Sequence, residues 1–183
     1  MYNETKTQFT QISVTDGSAM AIDTDGKLWG WGQNMHNRLG HSSVNEEIGI
    51  NKPFSLYLMN NLGFKALKIS CGFLHSLVLF EDKEGHELLY SVGIESSDFS
   101  SHLGVSEEKA NNPEIPFNVI PTFNDRKVLD FCAHDGQASI VIVAGVDNEK
   151  GGIYHHNLPG GKTAKGLLHF YKQGDSWHFV SEQ

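Results

Sequence analysis

The stretch DTDGKLWGWGQN, Asp23–Asn34, follows a short apolar run, SAMAI, at Ser18–Ile22. Two runs of strand-forming residues joined by an Asp-Gly pair are typical of a β-hairpin, whose turn needs a backbone position with positive φ. Trp29 and Trp31 alternate with glycines, and they are open to a catalytic, a nucleic-acid-stacking or a structural interpretation. The choice depends on whether the pattern recurs.

The pattern does recur. A second copy, FKALKISCGFLHSLVLFEDKEGHELLYSVG, begins at Phe64, and its elements follow the order of the first copy, which begins at Phe9. QIS matches KIS, SAMAI matches HSLVL, and KLWGWG matches ELLYSVG; the second hairpin is interpreted as the first with a longer loop. The two copies begin 55 residues apart. A repeat of this length, with short apolar runs and glycine turns, favours propeller blades over helical repeats. We expect one repeat domain, residues 1–183, with repeats at about 9–63, 64–126 and 127–183.

The third copy is degenerate. It begins KVLDFCAHDGQASIVIV, Lys127–Val143, in which Cys132 falls near the position of Ile69 and is predicted to be a core residue. Both GGIYHHNLP and GLLHFYKQG are then candidates for the strand equivalent to KLWGWG, and His156–Leu168 is a candidate for an inserted loop. The stretch LLHFYKQGDSWHFV predicts a final hairpin.

The composition is that of an acidic globular chain, with 183 residues, 39% hydrophobic residues and a net charge of −8. This charge argues against nucleic-acid binding, which requires Lys and Arg. No run has the length of a membrane span, and the polar start MYNETKTQFTQ lacks the apolar core of a signal peptide. Cys71 and Cys132, without a CxxC motif, are compatible with a reducing compartment. We therefore expect an intracellular location, cytoplasmic or nuclear, with no membrane or nucleic-acid partner.

The repeated elements resemble the regulator-of-chromosome-condensation repeat family. The family pattern combines I-S-x-G, H-S-L, W-G-x-N and Q-L-G. The stretches that carry the resemblance are ISVTDGSAMAIDTDGKLWGWGQNMHNRLG in the first copy and ISCGFLHSLVL, LLYSVG and HLG in the second. The matching residues are Trp31, Gly32 and Asn34 in the first copy, and Ser70, Gly72, His75, Ser76 and Leu77 in the second.

The resemblance implies a β-propeller of four-stranded blades, of which this chain has about three. Closed propellers need roughly 4–8 blades. We therefore expect an all-β, partial propeller that is completed by a partner, by self-association or by the rest of a longer protein. An unclosed arc exposes sheet edges and the apolar faces between blades.

The conspicuous aromatic and histidine residues are predicted to be structural. Trp29 and Trp31 lie on the same face of a strand and are expected to fill the space between blades, with Gly30 and Gly32 allowing close backbone approach. His75 is expected to be a hydrogen-bonded core or turn residue. Turns with positive φ are predicted at Asp16-Gly17 and Asp135-Gly136, and turns between blades at Gly40 and Gly104.

No catalytic, cofactor-binding or metal-binding residue is predicted, and the chain is not expected to be an enzyme. GGKT, Gly160–Thr163, lacks the glycine and the strand–loop–helix context of a phosphate-binding loop. His155 and His156 are adjacent, so on a strand they point to opposite faces and are poor co-ligands. A Ser/His/Asp triad has no support without geometry.

Two acidic loops are the best candidates for a partner surface. They are SEEKANNPEIP, Ser106–Pro116, and NEEIGINKP, Asn45–Pro53, at corresponding places in the repeats. We expect a non-catalytic protein–protein interaction scaffold, because loops on a rigid rim suit recognition. The alternatives are a guanine nucleotide exchange factor for a small GTPase, and a substrate-recruiting segment of a larger ubiquitin-ligase-type protein; both rest on the resemblance.

Overall fold

The computed structural model describes most of the first repeat and parts of the second and third. The described residues are 7–41, 50–93, 116–120, 127–133, 139–143, 151–158, 162–173 and 176–181. They form three antiparallel sheets, in which strands adjacent in sequence are adjacent in space.

Sheet 1 contains β1 (Phe9–Thr15), β2 (Ser18–Asp23), β3 (Leu28–Gly32) and β4 (Ile50–Ser55). The hairpin predicted from DTDG is the β2–β3 pair. Two short helical elements interrupt the strands of the first repeat: a 3₁₀ turn at Met35–Asn37 and α1 at Tyr57–Asn61.

Sheet 2 contains β5 (Lys65–Cys71), β6 (His75–Glu81), β7 (Glu87–Gly93) and β8 (Phe117–Val119). Its pairing repeats that of sheet 1, because His75 pairs with Gly93 as Ser18 pairs with Gly32. The predicted match of SAMAI with HSLVL is therefore confirmed.

The hairpin turns of the two sheets are the same. In each, an aspartate carboxylate oxygen, Oδ1 of Asp23 or Asp82, accepts the backbone N–H groups two and four residues later. The turn glycines, Gly26 and Gly85, have φ of +78° and +87°, as the Asp-Gly pattern predicts. The expected longer loop in the second copy is wrong: the turn is unchanged, and the strands continue to a pair between Glu81 and Glu87.

Sheet 3 contains β9 (Val128–Ala133), β10 (Ser139–Val143), β11 (Gly151–Leu158), β12 (Lys162–Gln173) and β13 (Ser176–Ser181). Four-stranded blades are thus found in sheets 1 and 2, and sheet 3 adds a fifth strand. Because β11 pairs with β10, GGIYHHNL is the strand equivalent to LWGWG. The inserted-loop interpretation is wrong, since residues 162–168 belong to a strand. Gln173 pairs with Ser176, which confirms the final hairpin.

Each sheet has the same irregularity in its first strand. The pairing with the second strand shifts after Phe9 in sheet 1, after Ala66 in sheet 2 and after Val128 in sheet 3. Such a bulge fixes which residues face which side of a sheet. Residues with the same pairing after the shift are equivalent: Ile12, Ile69 and Phe131; Ser13, Ser70 and Cys132; Val14, Cys71 and Ala133.

The prediction that Cys132 is a core residue is wrong. Cys132 pairs with Ile140 and is equivalent to Ser70, not to Ile69, and its side chain is exposed. A one-residue difference in register moves a strand side chain to the opposite face. The residues in the core are its neighbours, Phe131 and Ala133.

The sheets pack face to face through two apolar cores. Between sheets 1 and 2, Met20, Ile22 and Leu28 meet Val78 and Phe80. The second core, between sheets 2 and 3, consists of Leu77, Leu79, Leu89, Ile120, Val128, Phe131, Ala133, Val141 and Val143. Adjacent β6 residues contribute to opposite cores, because side chains alternate along a strand. This architecture is a partial β-propeller, as predicted.

Candidate interaction surface

A repeated hydrogen bond links each sheet to the next. The hydroxyl of Ser13 in β1 accepts the backbone N–H of Cys71 in β5 at 2.9 Å. The hydroxyl of the equivalent Ser70 accepts the backbone N–H of Ala133 in β9, also at 2.9 Å. The serine of the I-S motif therefore satisfies an amide of the following blade.

The residue two positions before each serine also contacts the following sheet, but through a different bond in each interface. The side-chain carbonyl of Gln11 accepts the backbone N–H of Ile69 at 3.2 Å. At the equivalent position, Lys68 donates to Asp130 in sheet 3 at 2.6 Å and lies over the ring of Phe131. Lys68 lowers the pKa of the Asp130 carboxyl, mainly through this hydrogen bond.

Arg38, from the NRLG element, is a buried link between the first two repeats. Its Nη1 donates to the carbonyl of Phe73 at 2.7 Å, its Nη2 to the carbonyl of Asp16 at 2.6 Å, and its Nε to the hydroxyl of Ser18 at 2.7 Å. Burial lowers the pKa of Arg38, and the charge of Asp16 opposes this change. The guanidinium is therefore used to hold loops together.

Asn34 of the W-G-x-N element shapes the turn that presents Arg38. Its side-chain oxygen accepts the backbone N–H of Leu39 at 2.9 Å, and its side-chain nitrogen donates to the carbonyl of His41 at 2.9 Å. Gly40, with φ of +69°, lies against Phe117 and leaves no room for a side chain. A turn at Gly40 is confirmed, but it lies between β3 and β4 of sheet 1 and not, as predicted, between blades.

His75 and Cys71 have structural environments. His75 is fully buried, and its Nε2 lies 2.5 Å from the hydroxyl of Ser139 in sheet 3. The predicted structural role of His75 is thus confirmed. Burial raises the pKa of the Cys71 thiol, against the hydrogen bonds from Ser76 and Ser13, so this cysteine is a poor thiolate nucleophile.

The outer face of sheet 1, formed by Phe9, Ile12 and Val14 of β1, is apolar and open. These side chains are 43%, 58% and 66% exposed, whereas the equivalent Ala66, Ile69 and Cys71 of sheet 2 are at most 8% exposed, since sheet 1 covers them. In sheet 3 the equivalent Val128, Phe131 and Ala133 are buried under sheet 2. A face that is part of a core in the other two sheets is therefore uncovered in sheet 1, as expected for an unclosed arc.

Trp29 and Trp31 extend this outer face. They pair with Ala21 and Ala19, whose partners in β1 are Ile12 and Val14, and paired residues share a side of the sheet. Both indoles contact the ring of Phe9, at centroid distances of 6.1 and 6.3 Å. The prediction that both tryptophans share one face is confirmed. The prediction that they fill the space between blades is wrong for sheets 1 and 2, which meet on the opposite side.

Hydrogen bonding fixes one of these tryptophans. The indole N–H of Trp29 donates to Asp23 Oδ2 at 2.8 Å, while the other carboxylate oxygen of Asp23 holds the hairpin turn. The DTDG turn thus orients an aromatic ring on the outer face. Close backbone approach is confirmed at Gly32, which has φ of +96° and lies against the carbonyl of Gly17.

Sheet 3 carries the complementary position at the other end of the arc. Cys132 is equivalent to Ser13 and Ser70, and it is exposed instead of bonded to a following sheet. Ile140 is equivalent to Met20 and Leu77, and Ile142 is equivalent to Ile22 and Leu79. Those four equivalents belong to the two cores. Sheet 3 therefore repeats the sequence pattern of a face that covers another sheet.

Asp82, Glu84 and His86 are the group of potential metal ligands found among the described residues, with ligand atoms within 4.8 Å of one another. Asp82 accepts the backbone N–H groups of Glu84 and His86, and it lies 3.1 Å from the His86 ring nitrogen. The backbone N–H of His86 makes the largest contribution to lowering the pKa of Asp82. The same turn around Asp23 lacks a histidine, so the group is explained as a hairpin turn.

Several sequence predictions fall wholly or partly outside the described residues. Gly104, Asp135-Gly136 and most of the acidic loops at 45–53 and 106–116 lie there, apart from Ile50–Pro53 in β4 and Pro116.

Gly17 has φ of +70°, as predicted. Lys162 and Thr163 of GGKT begin strand β12, and His155 and His156 are adjacent in β11. Within the described part of the chain, no helix is long and apolar enough to cross a membrane.

Sequence reasoning missed Arg38 and the three apolar residues of the outer face. The signal for Arg38 is its place inside the NRLG element, next to a core leucine. The signal for the outer face is the alignment of Ile12 and Val14 with pairs that are buried in the later repeats. These pairs are Ile69 with Cys71, and Phe131 with Ala133.

Family models match the chain between residues 9 and 79. Two models, both described as the regulator of chromosome condensation (RCC1) repeat, match residues 25–79 and 9–37. The RCC1 domain-containing protein RUG3, mitochondrial, of Arabidopsis thaliana is 29% identical over 126 residues, which are 69% of this chain and 25% of that protein. The probable E3 ubiquitin-protein ligase HERC6 of Homo sapiens is 35% identical over 72 residues, 39% of this chain and 7% of that protein.

Solved structures with the same fold include human WBSCR16, with a TM-score of 0.56 and 19% identity, and Prp20p from Saccharomyces cerevisiae, with 0.59 and 21%. Each match covers 81% of this chain and about a third of the solved chain, 34% and 33%. The chain thus spans about a third or less of the length of the proteins it resembles. Residues 9–79 therefore match the regulator of chromosome condensation (RCC1) repeat, and the chain shares its fold with these solved structures.

Proposed function

We propose that the chain is a non-catalytic protein–protein interaction scaffold. The observation that supports this most strongly is the outer face of sheet 1, where Phe9, Ile12 and Val14 are exposed next to two partly exposed tryptophans. Contiguous apolar surface of this kind is typical of protein interaction sites. Aromatic residues are also enriched in protein interfaces.

The polar groups with the most distinctive environments are used for structure. Arg38 joins loops, His75 bonds to Ser139 between sheets, and Asp23 holds a turn and an indole. Groups committed in this way are poorly placed to act on a substrate. This supports a scaffold in preference to an enzyme.

A charge placed on the outer face tests the proposal. Ile12→Lys, compared with Leu62→Lys at an exposed leucine away from this face, should abolish capture of proteins by the immobilised chain, because a lysine ammonium is costly to bury in an apolar interface. Differently tagged copies of the chain belong among the proteins offered. Equal capture by both variants and the parent chain would contradict the proposal.

Regulation of a small GTPase is the second candidate. The likeness to Prp20p favours it, since Prp20p binds Gsp1p and histones. No exchange residue is assigned in this chain. The test is release of labelled GDP from a panel of small GTPases with catalytic amounts of the chain: acceleration supports exchange activity, and an unchanged rate across the panel removes it.

The match to HERC6 supports a third candidate, a substrate-recruiting segment of a larger ubiquitin-ligase-type protein. It requires a catalytic domain on the same polypeptide, which the full coding sequence would reveal. For all three candidates we propose an intracellular site, cytoplasmic or nuclear, to be checked by imaging of the tagged protein. A purely mitochondrial signal, matching the location of the Arabidopsis relative RUG3, would overturn this proposal.

A further inference from the structure

The two ends of the arc carry the two halves of one interface. In each internal interface, a serine hydroxyl accepts a backbone N–H from the next sheet: Ser13 from Cys71, and Ser70 from Ala133. Cys71 and Ala133 are the residues equivalent to Val14. Val14 of sheet 1 and Cys132 of sheet 3 are both exposed, and no described sheet packs against either residue. Each end therefore lacks what the other end supplies.

We propose that the outer face of sheet 1 docks sheet 3 of a second copy of this chain, and that two copies close head to tail into a ring of six sheets. The proposal rests on the proposed scaffold function and names its partner. Six sheets fall within the range of roughly 4–8 that closed propellers use. The same head-to-tail contact, made twice about a two-fold axis, then satisfies both ends of both copies, since a head-to-tail contact forms a ring when its rotation closes.

The chemistry of the interface follows from the internal ones. Ile140 and Ile142 of one copy lie at the register positions of Met20 and Ile22, two residues that belong to the core between sheets 1 and 2. Cys132 takes the place of the serine that accepts a backbone N–H, here the N–H of the second copy's Val14. A thiol sulfur is a weaker acceptor than a hydroxyl oxygen, so this contact is weaker than the two internal ones.

This difference gives a gain-of-binding test. Cys132→Ser restores the residue of the other repeats and should lower the dimer dissociation constant roughly tenfold, on the order expected for one neutral hydrogen bond in each of two contacts. Cys132→Ala should instead leave it unchanged or raise it. Equal dissociation constants for the serine and alanine variants would contradict the assigned contact.

A disulfide test reports the geometry directly. In the internal interface, Cys71 Sγ lies 3.5 Å from the backbone oxygen of Ser13, so Val14→Cys should place a thiol beside Cys132 of a second copy. Mild oxidation with copper phenanthroline removes two electrons and two protons from each thiol pair. The expected product is a dimer cross-linked between position 14 and Cys132, confirmed by peptide mapping. The controls are Val14→Cys with Cys132→Ser, and Leu62→Cys at an exposed site elsewhere; neither should give this product.

The outcomes separate this inference from the proposed function. Absence of the cross-link, linkage at other positions, or a ladder of longer species would overturn the closed pair. If the cross-link is absent but Ile12→Lys still loses a different protein partner, the scaffold function stands and only the identity of the partner is wrong. If the cross-link forms and no other protein is captured, self-association is the interaction that the face serves.

Discussion

The hydroxyl of Ser13 accepts the backbone N–H of Cys71 at 2.9 Å, across the interface between two sheets. The same bond recurs between Ser70 and Ala133. In both cases the side chain comes from the first strand of one sheet and the amide from the first strand of the next. The stacking of blades is therefore encoded by a serine within the repeat, and not only by apolar area.

Removal of these hydroxyls should destabilise the fold. Ser13→Ala and Ser70→Ala each leave a largely buried amide without its acceptor, which costs about 1–3 kcal/mol. Thr24→Ala, at an exposed turn position, is the control and should change the unfolding free energy by less than about 0.5 kcal/mol. Urea denaturation measures all three, and serine variants as stable as the control would contradict the role of the hydroxyls.

Substitution of Arg38 should lower the free energy of unfolding more than substitution of most other polar residues. Arg38→Met leaves the carbonyls of Asp16 and Phe73 without their donor, so we expect a loss of about 3 kcal/mol. Lys27→Met removes a cation whose ion pair with Asp25 is solvent-exposed, and it should cost less than about 1 kcal/mol. Thermal and urea unfolding of both variants give the comparison; similar losses would show that the buried guanidinium is not a structural link.

Two turn glycines separate backbone strain from steric conflict. Both Gly32 and Gly85 have positive φ, but a Cβ at Gly85 meets nothing, whereas one at Gly32 collides with the carbonyl of Gly17. Gly85→Ala should cost about 1 kcal/mol from strain alone. Gly32→Ala should cost about 3 kcal/mol, because overpacking adds to strain. Equal losses in denaturation experiments would mean that the backbone near Gly17 moves aside.

The link between Lys68 and Asp130 should make stability depend on pH. The pKa of Asp130 is lowered in the folded chain, so its contribution is present above the unfolded pKa of about 3.9 and is lost as the pH falls through the folded pKa. Because both side chains are partly exposed, the contribution is less than about 1 kcal/mol.

Asp130→Asn tests this dependence. The variant should be less stable than the parent chain at pH 6, and this difference should shrink as the pH falls below about 3.9 and Asp130 of the parent chain becomes protonated. Lys68→Met should give the same profile. A stability difference that persists unchanged at low pH would assign the effect to packing instead of charge.

Repetition makes much of the fold predictable. The matches of SAMAI with HSLVL and of KLWGWG with ELLYSVG place the hairpins correctly, since short alternating runs around Asp-Gly or Glu-Gly turns have a strong local preference. Placement fails where the pattern decays: the alignment puts Cys132 one position away, and in a strand that error exchanges core for surface. The helix at Tyr57–Asn61 is too short to give a helical period.

The candidate surface is predictable only in part. The sequence indicates that an unclosed arc exposes apolar faces, but not that Trp29 and Trp31 belong to such a face. That assignment depends on their pairing with Ala21 and Ala19, and on which side of sheet 1 receives Phe80 and Val78. These are properties of tertiary packing, which one strand does not determine.

The native mass of the chain in solution, measured by light scattering after size exclusion, shows whether two copies close into a ring. We expect a species of twice the 20.3 kDa chain mass. Ile12→Lys combined with Val14→Lys should convert it to a folded species at the mass of one chain, because the outer face of sheet 1 is lost as an interface. A parent chain that is already monomeric, with the same mass as the double variant, would contradict ring closure by two copies.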